Sequence, residues 1–305
     1  MQSIKTKVLT VFMSFVMAVA MFPALASNAD TNYGTANGVT YKLVGNTLQI
    51  TGQGAMMDFT AYKKNASSTM PDYSDAPWYN DRSKIQKVVI GDGITRVGNN
   101  SFLWLSSLKE VEFQSKGSLT SIGTQAFFEC YQLTSVAIPY GVTSIGTNSF
   151  AYCNGLKSVS IPNTAKVIGY GAFANCHNLL SVYIPASVGS IGAHAFRGNY
   201  KLVKVSGGAG LTTIGQQAFE HCWALKSFTI TSKKLKKIGK YCFYCDSKLK
   251  TINIKKTTKL TKKGVKYSLY LSGVKKVKVK KSMVKKYKKY FTYRNCGKRY
   301  VKVKK

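Results

Sequence analysis

Acidic residues and histidines are scarce in this sequence: 11 Asp or Glu and 3 His stand against 45 Lys or Arg in 305 residues. General acid–base catalysis needs positioned carboxylates or histidines, and no carboxylate pair recurs here at a fixed spacing. His177, His194 and His221 fall at different positions of an internal repeat, so we do not expect them to converge on a metal ion. The sequence therefore predicts no catalytic residues, no metal site and no cofactor, and we expect that the protein is not an enzyme.

Cysteine is also sparse: the sequence contains seven. This number suits neither a dense disulfide framework nor a zinc cluster. Four of the cysteines occupy the same repeat position, three residues after the phenylalanine: Cys130, Cys153, Cys176 and Cys222. In two other repeats this position is held by Asn199 and Asp246. This exchange fits a side chain that hydrogen-bonds to the backbone of a turn. Disulfides between adjacent repeats are the alternative, and we expect buried free thiols.

A long apolar run occurs once, at residues 8–22, and no later stretch is long enough to cross a membrane. Lys5 and Lys7 precede the run and the small-residue pattern of 24–26 follows it, which is typical of a secretory signal peptide cleaved after Ala26. A permanent membrane anchor is the alternative. The sequence predicts a secreted or cell-surface protein without a transmembrane anchor.

An internal repeat is the strongest signal that the sequence contains. A glycine is followed four residues later by a phenylalanine seven times, at steps of 23 to 25 residues. The glycines are Gly98, Gly123, Gly146, Gly169, Gly192, Gly215 and Gly239, and the aromatic partners are Phe102, Phe127, Phe150, Phe173, Phe196, Phe219 and Phe243. A fixed period of this length indicates one short unit stacked on itself, which is a solenoid.

Each repeat position has a physical reason. Val159 and Ile161 are two residues apart, so they lie on one face of a short strand, and Pro162 marks its end because proline has no amide hydrogen to donate. The phenylalanine is expected inside the stack. The glycine is expected to supply either a special backbone angle or a close approach between coils.

The repeat resembles the BspA-like, or treponemal-type, leucine-rich repeats of bacterial surface proteins. The shared string is SIG-x-x-AF-x-x-C-x-x-L-x-x-V-x-IP, at 121–139, 144–162 and 167–185 and less completely at 190–205, 213–230 and 237–254. The resemblance covers residues 85–254. It implies a mainly β, right-handed leucine-rich-repeat solenoid of about 23-residue repeats, secreted or surface-exposed members, an adhesive role and no shared catalytic residues.

Residues 27–84 are predicted to be an N-terminal β-hairpin cap that covers the first coil of a seven-unit solenoid at 85–254. Residues 27–37 are expected to be disordered. Residues 39–54 read as two strands around the turn Gly45-Asn46. Trp78 is interpreted as an aromatic residue of this cap, with ligand binding as the alternative.

Residues 255–305 are predicted to form a degenerate eighth unit and a Lys-rich cap. Gly264 follows Gly239 by 25 residues, which places Ser268 where the phenylalanine should be. A short helix is expected with one apolar face: Met283, Val284, Tyr287, Tyr290 and Phe291. A final strand is expected around Val301 and Val303.

Positive charge is concentrated at this end. Residues 233–305 hold 28 Lys or Arg and one acid, whereas residues 27–232 hold 15 basic and 10 acidic residues. Uncompensated charge of one sign attracts polymers of the other. A solvated, solubilising surface is the alternative. The candidate polyanion-binding residues are Lys275, Lys276, Lys278, Lys280, Lys281, Lys285, Lys286, Lys288 and Lys289.

A second candidate surface is the outward face of the repeated strands, expected to hold a protein or polysaccharide partner. Its residues are Ala137, Ser160, Tyr183, Ser206, Thr229, Lys157, Lys204, Lys226 and Lys250. Aromatic residues after the repeat phenylalanine, such as Tyr200 and Trp223, are expected to pack between coils, with sugar binding as the alternative.

These surfaces favour a secreted or cell-surface binding or adhesion protein whose basic end attaches to anionic cell-wall polymer. The sequence shows no sorting signal and no hydrophobic tail, and this motivates the expected charge-based attachment. Export argues against nucleic acid as the partner. A structural spacer without a tight ligand is the alternative function.

Overall fold

The computed structural model describes residues 30–62 and 73–305. In it the chain forms a stack of coils that pair in parallel at a step of about 23 residues, for example Ser144 with Val167 and Val167 with Ser190. Each central coil contributes one strand to each of two sheets. The predicted mainly β solenoid is therefore confirmed, and the predicted signal peptide lies outside the described residues.

The first sheet, sheet A, consists of three hydrogen-bonded groups that follow one another along the stack. Its first three strands pair antiparallel, and the later neighbours within each group pair parallel between equivalent residues. The strands are Thr31–Ala36, Val39–Val44, Thr47–Gly52, Lys87–Ile90, Glu110–Phe113, Ser135–Ala137, Ser158–Ser160, Ser181–Ile184, Lys204–Gly207, Ser227–Ile230, Thr251–Asn253, Lys276–Lys278 and Lys302–Lys304.

The second sheet, sheet B, has eight short parallel strands and ends at the strand Lys237–Ile238. The strands are Gly54–Ala55, Ile94–Val97, Ser121–Ile122, Ser144–Ile145, Val167–Ile168, Ser190–Ile191, Thr213–Ile214 and Lys237–Ile238. Short elements complete the fold: the hairpin Ala61–Tyr62 with Tyr73–Ser74, the 3-10 helices Tyr79–Asp81, Lys263–Val265 and Lys281–Met283, and the helices α1 (Val284–Lys288) and α2 (Tyr293–Cys296).

Phenylalanine rings stack through the buried core from coil to coil. The ring centroids of Phe127 and Phe150 are 5.0 Å apart at 5°, and those of Phe150 and Phe173 are 5.4 Å apart at 3°. The stack continues from Phe102 to Phe243, and all seven rings are fully buried. The phenylalanine of the repeat is thus the continuous core that the period predicted.

The repeated glycine serves close approach between coils. A Cβ atom at Gly146 would lie 2.6 Å from the carbonyl oxygen of Ile122, which no side chain tolerates. Its φ is not positive; the left-handed backbone of this turn belongs to Asn148 and Tyr152, with φ of 50° and 61°. Of the two expected roles, close approach is confirmed and the special backbone angle is wrong.

The N-terminal residues extend sheet A. The expected pair of strands is confirmed, because Val39–Val44 pairs with Thr47–Gly52. The expected disorder of 27–37 is wrong for the described part, since Thr31–Ala36 pairs with the next strand. Trp78 is 1% exposed, stacks on Phe102 and donates its indole N–H to the Ser101 carbonyl at 2.9 Å. This burial argues for a cap residue and against ligand contact.

The C-terminal coil is shifted in frame relative to the sequence expectation. Ser268 donates its hydroxyl to the carbonyl of Val265, as Ser101 does to the carbonyl three residues before it. Leu269, next in the chain, is fully buried. Leu269 therefore takes the phenylalanine position, and the assignment of Ser268 to it is wrong. The expected helix and final strand are found as α1, with Tyr287 buried, and as the last strand of sheet A.

Candidate functional site

The predicted partner face lies on the outward rows of sheet A. Ala137 pairs in register with Ser160, and Tyr183 pairs with Ser206, which pairs with Thr229. Alternation along a strand directs these side chains away from the core. Tyr183 is the prominent group, because it is 65% exposed among small neighbours. The fold thus places the five residues at equivalent outward positions of consecutive coils.

The four lysines predicted for this face fall in two rows. Lys204 lies within its strand, in register with Ser181 and Ser227. Leu180 and Val203 belong to the row one residue before the strands, and both are exposed apolar side chains. The other three predicted lysines share that preceding row: Lys157, Lys226 and Lys250. The face therefore combines charge with a small apolar area beside Tyr183.

The charge on sheet A changes along the stack. Near the first coils, Lys87 pairs with Glu110 at 3.0 Å and with Glu112 at 2.7 Å. No lysine of residues 233–305 forms an ion pair with any residue that the structure describes. Asp246, the acid of that segment, is fully buried. The basic end therefore carries its charge without internal compensation.

Four lysines form two in-register pairs on the last two strands of sheet A. Lys276 pairs with Lys302 and Lys278 pairs with Lys304, at a strand separation of about 4.8 Å. Because alternate residues share a face, all four project away from the buried Val277. Like charges directly opposite each other destabilise a sheet. We call these four residues the lysine grid; an anion placed over it would remove the repulsion.

A groove of ≈ 650 Å³ adjoins the grid and shares Lys276 and Lys302 with it. Two of its lysines hold backbone carbonyls at 2.5 Å: Lys250 donates to Ser247 and Lys298 to Ser272. The remaining cationic lining residues are Lys275 and Arg299. The groove joins the grid to the row that contains Lys250.

The predicted polyanion-binding lysines separate into two places. Lys275, Lys276 and Lys278 lie at the grid and its groove. The other six are exposed on and around α1: Lys280, Lys281, Lys285, Lys286, Lys288 and Lys289. Sequence reasoning missed Lys302 and Lys304. The signal that could have found them is the string Lys-Val-Lys, which occurs at 276–278 and again 26 residues later.

The repeat geometry agrees with a known family. A family model described as BspA type leucine rich repeat region matches six copies, at residues 75–203 and 166–297, which is more than half of the chain. The chain belongs to the BspA-type leucine-rich repeat family. The resemblance stated from the repeat string is therefore confirmed.

Solved leucine-rich repeat structures resemble this BspA-type chain at low identity. One from Eubacterium ventriosum is 19% identical, covers 82% of this chain and 87% of its own, and has a TM-score of 0.34. One from T. pallidum is 25% identical over 63% and 89%, with a TM-score of 0.45. A leucine rich cell surface protein of Faecalibacterium prausnitzii is 20% identical over 92% and 96%, with a TM-score of 0.31. No curated protein matches the sequence.

The repeat cysteines of this BspA-type chain bind backbone. Cys153 Sγ donates to the carbonyl of Phe127 and Cys176 Sγ to that of Phe150, at 3.2 and 3.1 Å. Asn199 makes the equivalent bond to Phe173 through its amide at 3.0 Å. All seven cysteines are free, and burial raises the pKa of the Cys130, Cys176, Cys222 and Cys242 thiols. These thiols are structural, because the reactive thiolate is disfavoured.

Aromatic side chains beside the phenylalanine stack divide between core and surface. Phe128 is buried in a small second core. Tyr200 lies between His177 and Trp223, with ring centroids 4.4 and 4.3 Å apart, and Trp223 remains 47% exposed. Packing between coils therefore accounts for Phe128 and Tyr200.

Residues 30–62 and 73–305 contain neither a candidate metal centre nor a candidate membrane-spanning helix. No group of three or more His, Cys, Asp or Glu side chains there is arranged to hold a metal ion. No helix in the same ranges has the length and apolar character of a membrane span. The lysine grid and the Tyr183 face remain the candidate binding surfaces.

Proposed function

We propose that this BspA-type protein is exported and works by non-covalent binding, without catalysis. Its sheet A face would hold a protein or polysaccharide partner at the cell surface, and its basic end would attach to an anionic cell-wall polymer. Family membership and the signal-like residues 1–26 support export. The paired lysines of the grid are the observation that carries the proposal.

The grid supports attachment because repulsion between its paired lysines destabilises the folded protein. In the central coils of sheet A most of the equivalent outward positions are uncharged, as at Ser181 and Tyr183, and Lys204 lies between Ser181 and Ser227 without a lysine opposite it. Lysine at these positions on two adjacent strands adds repulsion that only a counter-ion can offset. Features that break a local folding rule are where functional sites are expected.

Retention on an immobilised anionic polymer tests the attachment role. We expect the grid variant K276Q/K278Q/K302Q/K304Q to elute at lower salt than the parent protein, because each lost phosphate or sulfate contact reduces counter-ion release. The matched control K109Q/K116Q/K166Q/K201Q removes the same charge from exposed lysines of earlier coils. Equal shifts in elution salt for the two variants would show that net charge alone causes retention, and the attachment proposal would fail.

The partner face is tested separately on an array of glycans and matrix proteins. A protein that recognises a partner through sheet A should lose that partner when a charge is placed at the centre of the face by Tyr183→Glu. Val167→Glu, an exposed position on sheet B, adds the same single charge and serves as the matched control. If the protein is instead a structural spacer, neither the parent protein nor its variants should give an array signal.

A further inference from the structure

A cleft of ≈ 460 Å³ lies where sheet B ends, away from sheet A and its grid. Its rim carries five lysines and one tyrosine: Lys236, Lys237, Lys240, Lys263, Lys266 and Tyr267. The five lysines are exposed, and the floor includes the buried Ile238, Gly239 and Gly264. No carboxylate lines the cleft. We call it the sheet B cleft.

The cleft lies where the terminal coil departs from the regular repeat, the same departure that puts Leu269 in place of Ser268 at the phenylalanine position. Thr261 still pairs with the preceding coil, because its amide and hydroxyl donate to the Lys236 carbonyl at 3.1 and 3.3 Å. The chain then turns into the 3-10 helix Lys263–Val265 where earlier coils form a strand. The ladder therefore ends at Lys237–Ile238, and a depression opens between that strand and the 3-10 helix.

Aromatic rings fix the direction of one rim lysine. Lys240 Nζ lies 4.5 Å from the ring centroid of Tyr241 and 5.7 Å from that of Tyr267. Lys266 Nζ also lies over the Tyr267 ring, 5.6 Å from its centroid. Cation–π contacts hold an ammonium group without neutralising it. The rim thus presents positioned positive charge to whatever enters the cleft.

We propose that the sheet B cleft binds a short segment of a phosphate-bearing polymer. Its volume is in the range of small-ligand sites, so it would admit one or two phosphate units with their linker. Lysine binds phosphate as a point charge, and the cationic side chains that line this cleft are all lysines. Five uncompensated ammonium groups favour the anion of highest charge density. The grid lies on the other sheet, so this site is independent of the proposed attachment.

Binding of labelled short-chain inorganic polyphosphate, followed by fluorescence anisotropy at fixed salt, tests the site. We expect the cleft variant K237Q/K240Q/K263Q/K266Q to bind about tenfold or more weakly than the parent protein. The control K233Q/K234Q/K255Q/K256Q removes equal charge from exposed lysines of the same segment that neither line the cleft nor belong to the candidate polyanion-binding residues, and it should change the affinity much less. Equal losses in the two variants would overturn the proposal.

A second measurement locates the ligand in the unmodified protein. Polyphosphate titration should shift the amide NMR signals of Gly239 and Gly264, on the cleft floor, at lower ligand concentration than the signals of Val277 on sheet A. If the signals of sheet A shift first, the proposal that the sheet B cleft binds the polymer fails, and the attachment role of the grid is unaffected.

Competing polymers identify the chemistry. Poly(glycerol phosphate) should displace the labelled probe and DNA should do so through its backbone, whereas polyglutamate should be weaker by about tenfold. Equal displacement by polyglutamate would overturn the assignment to phosphate.

Discussion

The position three residues after each phenylalanine decides how neighbouring coils are joined. Cysteine and asparagine both donate a hydrogen there, as Cys176 and Asn199 show. Asp246 occupies the same place and accepts from the Cys222 amide at 2.7 Å. Its second carboxyl oxygen has no hydrogen-bond partner among the described residues. Burial raises the pKa of Asp246 well above its ordinary value, so the protonated form, which has a hydrogen to donate, is favoured.

Asp246→Asn is predicted to stabilise the protein at neutral pH. The folded-state pKa of Asp246 is raised, so stability is fully present below the unfolded pKa and is lost as pH rises through the folded value. Asparagine supplies the donor at every pH. We expect the variant to gain about 1–3 kcal/mol at pH 7, the range for an unsatisfied buried group, and little at acidic pH. Thermal melts at several pH values measure the difference.

The mirror substitution Asn199→Asp is the matched control for this residue. It should destabilise the protein at pH 7 and regain stability as pH falls, because protonation restores the donor that Asn199 directs to Phe173 and Phe196. The explanation would be contradicted if the difference in melting temperature between each variant and the parent protein did not change with pH.

At the scale of the element, the stacked rings are the core that each coil shares with its neighbours. Phe173→Ala should cost about 3–5 kcal/mol of unfolding free energy, because it leaves a cavity between two stacked rings. Tyr183→Ala, on the same coil but exposed, should change stability by less than about 0.5 kcal/mol. Denaturant unfolding compares the two. Equal effects would mean that the ring stack does not carry the stability.

Elements that repeat could be predicted from the sequence, and elements that depart from the repeat could not. The period places Phe127 and Phe150 in the core because every coil repeats the same environment. The terminal coil contains extra residues, and Gly264 happens to preserve the spacing, so Leu269 was not recognised. Strand Thr31–Ala36 was also missed, because its pairing depends on the next strand more than on its own composition.

The candidate sites show the same division. Lys276 and Lys278 were identified from charge alone, but their pairing with Lys302 and Lys304 depends on how residues 279–301 fold back onto sheet A. The sheet B cleft depends on where the chain leaves the ladder after Thr261, which no local pattern encodes. Net charge was therefore predictable, and its concentration into a grid and a cleft was not.

On the scale of the whole molecule, stability should be uneven along the stack. Each coil contacts chiefly its neighbours, so stability is set by local interfaces and by the ends. The N-terminal end has ion pairs, such as Arg96 with Asp58 at 2.6 Å, and a buried aromatic cap at Trp78. The other end carries the uncompensated lysines. Repulsion there makes the last coils the part whose stability depends on salt.

Hydrogen exchange at two salt concentrations tests this polarity. The Debye length falls from about 30 Å at 0.01 M to about 8 Å at 0.15 M, which screens repulsion between exposed lysines. Amides of the strand Lys302–Lys304 should exchange several-fold more slowly at the higher salt, since about 1 kcal/mol of local stability changes protection about fivefold. Amides of Ser144–Ile145, in a coil without such charge, should change little. If both strands gain equal protection, salt acts on the solenoid as a whole, and the lysines of the terminal coils do not limit its stability.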